Sequence, residues 1–167
     1  MDSRGVQQEP FVVSIRPMAE GDVRAIHDIH TECLTRTLSA NYAPDQSAAW
    51  LKGRTPDGYL RAASAGEKFF VAEASGRAVG FASWEDDELL ALFVHPDAQG
   101  RGLGVRLFEA CLADALENGV AIVRVNAAHG AEAFYARRGF VSIGQGSVTK
   151  HGVIIEDTRM VADPEQL

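Results

Sequence analysis

The residues of this 167-residue chain most suggestive of chemistry lie in the run Leu92 to Leu107, "LFVHPDAQGRGLGVRL". Gly100, Gly102 and Gly104 alternate there, with Arg101 and Arg106 among them and no acid after Asp97. Glycine costs a helix more backbone entropy than any other residue, so three in this space imply a backbone that has to stay bare. A bare backbone between a strand and the first turn of a helix offers unpaired N–H groups and the positive end of the helix dipole. Both suit a phosphate or pyrophosphate. A dinucleotide fingerprint G-x-G-x-x-G is excluded, because counting from Gly100 its third glycine falls on Val105, and no G-K-[ST] follows to make a P-loop. On glycine content alone, a phosphate site and a ligand-free flexible connection both remain open.

The elements that must position this segment are read from periodicity. Residues 1 to 10 form a flexible tail and 11 to 167 one domain. A strand over 11 to 18 ends at Pro17, and Val23, Ile26, Ile29, Cys33 and Leu34 then recur at helical spacing. A turn at Pro44 opens a short helix ending near Gly53, and a further helical turn follows in "PDGYLRAASAG". Strand spacing then predicts a three-strand meander over 69 to 74, 78 to 84 and 88 to 95, joined by the SGR and EDD turns. After the glycines, Leu103, Leu107, Cys111 and Ala115 recur every four residues, with Phe108, Leu112 and Leu116 beside them, as in a half-buried helix. Gly119 stops it. A buried strand over 120 to 126, a short helix capped by Gly139, and two strands around His151 and Gly152 complete the chain. The expected fold class is α+β: a mixed, mostly antiparallel central sheet flanked by helices.

Composition removes several classes of function. A net charge of -7 argues against general nucleic-acid binding and favours a cationic partner. No apolar run approaches the roughly 18 residues needed to cross a membrane and no long apolar segment follows the single arginine of the first residues, so neither secretion nor membrane spanning is expected. Cys33 and Cys111 form neither a CxxC pair nor a Cys/His cluster, so a reduced, cytoplasmic protein without a disulfide or zinc is expected. His27 and His30 lack a third ligand at suitable spacing and read as surface histidines, leaving no metal site; His95 and His151 receive no role.

Gln99 to Gly104, Q-G-R-G-L-G, resembles the Q/R-x-x-G-x-G/A signature of the GCN5-related N-acetyltransferase (GNAT) superfamily, and "LFVHP", "AFYARRGF" and the element order are similar over residues 11 to 161. The resemblance implies that acetyl-coenzyme A is the cosubstrate and that Gln99, Gly100, Arg101, Gly102, Leu103, Gly104 and Val105 hold its pyrophosphate. It also implies that strand 88 to 95 splays from strand 120 to 126, admitting the pantetheine arm to backbone at Phe93 and Val94. Acetyl transfer needs a neutral amine, stabilisation of an oxyanion and a proton for the leaving thiolate. Tyr135 matches the superfamily's general acid, a core aromatic beside Phe134 being the other reading. Glu88 resembles the base of the histone-acetylating branch, or else belongs to the solvated turn Glu85 to Glu88. Asn126 bonds pantetheine or the substrate, or caps the next helix. Ala128 stands where the superfamily's pattern has an asparagine, which puts one pantetheine contact in doubt, to be made by Asn126 or His129. Tyr42 and Trp50 line the acceptor pocket or pack a helical lid. With neither cysteine beside a base, attack is expected to be direct. The expected acceptor is a small cationic amine, with a peptide lysine or N-terminus, a longer acyl donor, and a non-catalytic acyl-coenzyme A sensor as alternatives. A homodimer is left open.

Overall fold

The computed structural model describes residues 11–166. The tail read over residues 1 to 10 lies outside them. β1 (Val13–Pro17), β2 (Lys68–Ala74), β3 (Arg77–Glu85) and β4 (Glu88–Val94) form an antiparallel meander. β4 then pairs in parallel with β5 (Arg124–Ala127), which pairs with β7 (Val153–Ala162), and β6 (Phe140–Lys150) closes the edge. The sheet is mixed and mostly antiparallel, as expected. Two of its three two-residue hairpin turns take positive φ at both positions: Ser75 (51°) with Gly76 (74°), and His151 (51°) with Gly152 (77°). This left-handed pairing matches the twist of the strands it joins.

β5 is shorter than the run 120 to 126 suggests. Its neighbour β4 begins only at Glu88, so the residues before Arg124 have no strand beside them on that side, while on the other Ala162 N–H of β7 still reaches Val123 C=O at 2.9 Å. The N–H groups of Val123 and Arg124 both bond the Asp87 carbonyl in the turn, at 2.8 and 3.1 Å.

Helices cover both faces of the sheet. On one, α4 (Leu103–Glu117) buries Leu103, Leu107, Phe108, Cys111 and Ala115, the stripe its spacing predicts. Each such large apolar side chain stabilises the fold by about 1.5–3 kcal/mol. Leu116 is exposed instead, because a step of four residues drifts around a helix of 3.6 per turn. On the other face, Val23, Ile26 and Ile29 of α1 (Val23–Glu32) pack with Tyr59 of α3 (Pro56–Ser64) against Phe69, Val71 and Phe81. α1 does not end cleanly: it widens into a π-turn over Cys33–Thr37, then tightens through Leu38–Ala40 before α2 (Pro44–Leu51). The wide turn places Cys33 and Thr37 beside the end of β4.

Candidate active site

The site starts from a missing ladder. β4 and β5 pair only at Glu88 with Arg124 and Leu89 with Val125, and diverge beyond. The backbone lining the gap follows from strand parity. His95 N–H donates to Val79 C=O at 2.8 Å on the β3 side. Alternation along an antiparallel strand therefore directs the Phe93 backbone at β3 as well, and the backbones of Leu92 and Val94 into the gap. Val94 C=O accepts there from Cys33 Sγ and from Gln99 Nε2, each at 3.2 Å. The Val94 N–H points the same way. Of the two backbone positions expected to meet pantetheine, the geometry favours Val94; the Phe93 backbone serves the sheet, and its ring stands 4.5 Å from that of His30.

Past β4, the turn Pro96–Ala98 leads into the glycines. Gly100 (φ 79°) and Gly102 (φ 74°) take left-handed conformations that favour glycine, and around each the space where a Cβ would project is empty to 4 Å. Gly102 precedes α4 with no side-chain cap, so the first N–H groups of α4 face outward unpaired. Gly104 lies against Phe134, 3.4 Å from its would-be Cβ. The resulting cavity of about 300 Å³ is lined by Gly100, Gly102, Leu103, Gly104 and Val105 on one side and Ala131, Phe134 and Tyr135 on the other. A bare cradle at a helix N-terminus fits a pyrophosphate. Arg101 stacks over Phe11 at 3.9 Å, while Arg106 is exposed.

A second cavity, of about 420 Å³, opens across the gap and includes Cys33, Tyr42, Trp50, Arg54, Asn126 and Lys150 in its wall. Tyr135 and Gln99 line both cavities. Tyr135, on α5 (Glu132–Ala136), is held among Phe108, Phe134 and Phe140, with ring centroids 5.2–6.5 Å away. Burial, with a smaller contribution from Cys111, raises its phenol above the ordinary range, so the hydroxyl stays protonated. Burial also pushes the Cys33 and Cys111 thiols up to about 12. Glu88 is not brought to the cavity wall: its carboxylate is 3.6 Å from Arg124 at the closed end of the gap, where the wall begins with Leu89. A third cavity of about 430 Å³, lined by His30, Tyr59, Glu67 and Phe81, shares Trp50, Arg54 and Phe93 with the second.

His30 is not the surface residue expected. It is 4% exposed, and its Nδ1 lies 2.9 Å from Tyr59 Oη. His27 Nε2 meets the Arg54 carbonyl at 3.2 Å. Tyr42 donates to Glu156 C=O at 2.7 Å and accepts from His129 N–H at 2.9 Å, which ties β7 to the loop after β5 and forms part of the cavity wall. Among the described residues no group of three His, Cys, Asp or Glu is placed to hold a metal. Sequence reasoning missed Cys33, Thr37, Arg54 and Lys150 as wall residues; the first two share the π-turn after α1, while Arg54 follows α2 and Lys150 ends β6, so no spacing joins the set.

Residues 38–161 match the family described as the acetyltransferase (GNAT) domain. The chain is 26% identical, over 92% of its length and 97% of the relative's, to the uncharacterised N-acetyltransferase YafP of Escherichia coli. A crystal structure of a GCN5-related N-acetyltransferase from Rhodopseudomonas palustris superposes with a TM-score of 0.83 at 26% identity, covering 93% of this chain and 99% of that one. The PaiA N-acetyltransferase of Thermoplasma acidophilum, solved in complex with coenzyme A, has the same fold, with a TM-score of 0.74 at 18% identity over 91% and 99% of the two chains.

Proposed function

Since this chain belongs to the GNAT acetyltransferase family and is an acetyl-coenzyme A-dependent N-acetyltransferase, we propose that an acceptor amine attacks the acetyl group directly in the gap between β4 and β5. Acetyl-coenzyme A supplies the acetyl group as a thioester. The loop Gln99 to Gly104 and the N-terminus of α4 hold its pyrophosphate, with Leu103 and Val105 at the cavity wall. Backbone groups of Val94 line the path inward. The Val94 N–H meets the negative charge that develops on the carbonyl oxygen, a role for a preorganised donor. Gln99 and Cys33 hold Val94 C=O from two sides and so fix the peptide that joins Val94 to His95.

Tyr135 donates the proton that the departing thiolate needs. The observation carrying this reading is that Tyr135 alone among the titratable side chains of the described residues lines both the glycine-loop cavity and the cavity opposite. Its raised pKa supports an acid that is still protonated at neutral pH. Neither cysteine is suited to an acyl-enzyme, because a thiol near 12 supplies almost no thiolate. Glu88, held toward Arg124 and off the wall, is not the contact base in this reading; the amine loses its proton to water reaching the open cavity. Asn126 offers its amide to pantetheine or to the acceptor at the same wall. The acceptor is a small-molecule or peptide amine.

The test is thiol release from acetyl-coenzyme A over a mixed panel of amines, with mass spectrometry of the products. Release that depends on the amine, with one acetyl group added to it, is expected. Tight binding of acetyl-coenzyme A with no turnover of any amine would contradict the reading.

A further inference from the structure

Two cations line the acceptor-side cavity, whose wall also carries Glu156 and Asp157. Arg54, just after α2, and Lys150, at the end of β6, both line the cavity of about 420 Å³, and neither forms an ion pair among the described residues. Arg54 spends its Nε on the Trp50 carbonyl at 2.9 Å and also lines the adjoining third cavity. Neither wall acid is paired with Arg54 or Lys150 among the described residues. Asp157 pairs with Arg159 at 2.8 Å, Glu156 is exposed, and Glu67 bonds Ser83 at 2.6 Å. Neither cation lines the glycine-loop cavity, so neither serves the pyrophosphate. Two unpaired cations on one wall repel each other, an arrangement that an anion between them relieves. Lys150 registers this: burial first, and then the Arg54 charge, lower its pKa.

We infer that the acceptor carries a carboxylate beside its amine, the chemistry of an amino acid, and that Arg54 and Lys150 hold that carboxylate. This rests on the transferase reading of the same site. The guanidinium fork suits a carboxylate, and an ammonium adds a second charge-assisted bond. The overall charge of -7 does not oppose it, because the wall a ligand touches, rather than the sum over the surface, sets recognition inside a cavity. Trp50, Tyr59, Phe81 and Phe93 line the wall beyond Arg54, which suits an apolar or aromatic side chain on that amino acid.

The experiment compares the common L-amino acids with their carboxamides and decarboxylated amines, alongside linear diamines, by thiol release. The same compounds are titrated calorimetrically into protein loaded with coenzyme A. At least one amino acid should exceed its decarboxylated counterpart in kcat/KM by about 10- to 100-fold, as expected of a charged pair of bonds. In Arg54→Met and Lys150→Met that ratio should fall toward unity, with coenzyme A affinity and melting temperature kept as checks on folding. Amines or diamines used as well as the amino acids, or a ratio unchanged in both variants, would overturn the inference. If coenzyme A binds but nothing is turned over, the transferase reading fails; the titration then decides the carboxylate site alone, by whether amino acids bind and both variants weaken them.

Discussion

Val94 and Cys33 illustrate what single residues contribute. Cys33 sits in the gap where a nucleophile would be useful, yet its thiol donates to Val94 C=O and is pushed up to about 12, first by burial and then by Glu32. On this account it positions a peptide and carries no acyl group. Cys33→Ser keeps a donor in place, so steady-state turnover should stay within about threefold of the parent, the scale of one modest hydrogen-bond change. A hundredfold loss, or an acetyl group found on Cys33 by mass spectrometry, would contradict direct attack. The placement of Tyr135 and the glycines at the cavity walls was readable because a short motif carries them. That of Cys33, Arg54 and Lys150 was not, since they come together only when the π-turn after α1, the end of α2 and the end of β6 meet at one cavity.

At the scale of elements, the glycine loop and α4 act as one device. Gly102→Asp would strain a left-handed position and set a carboxylate in the cradle where Cβ space is open. Acetyl-coenzyme A affinity by calorimetry should fall at least tenfold while the variant still melts cooperatively; unchanged affinity would remove the loop from the account. α1 and α3 yield a second prediction. His30 is held neutral in their shared core, its pKa lowered mainly by burial and then by Arg54, His27 and Lys150. The unfolded chain then binds the proton more readily, near pH 6.5, than the folded one. The stability tied to His30 is therefore whole above about pH 6.5 and is lost as the pH falls through and below it. His30→Phe should flatten the slope of unfolding free energy between about pH 7 and 5 in denaturant titrations. An unchanged slope would place the acid sensitivity elsewhere. Period and turn chemistry made β2 to β4 and α4 legible. The true length of β5 was not, because it depends on where its neighbour begins, and the burial of His30 was not, because two helices and a sheet enclose it.

The whole molecule brings a donor side and an acceptor side together across a parallel pair that stops after two residues. The order β1-β2-β3-β4-β5-β7-β6 makes this unavoidable: β4 and β5 are joined through α4, and the glycine loop must lie at the end of β4 where the gap opens. That much followed from element order. The charge of the acceptor wall did not, since a net charge of -7 says nothing of two cations on one cavity. The central claim is that the two sides meet at the Tyr135 hydroxyl, and Tyr135→Phe tests it by keeping the ring among Phe108, Phe134 and Phe140 and removing only the acid. With saturating acetyl-coenzyme A and acceptor in a single turnover, the chemical step should slow by about 10² to 10⁴, roughly 3 to 5 kcal/mol, with coenzyme affinity and melting temperature little changed. A single-turnover rate equal to that of the parent would contradict the claim and leave Tyr135 a packing residue.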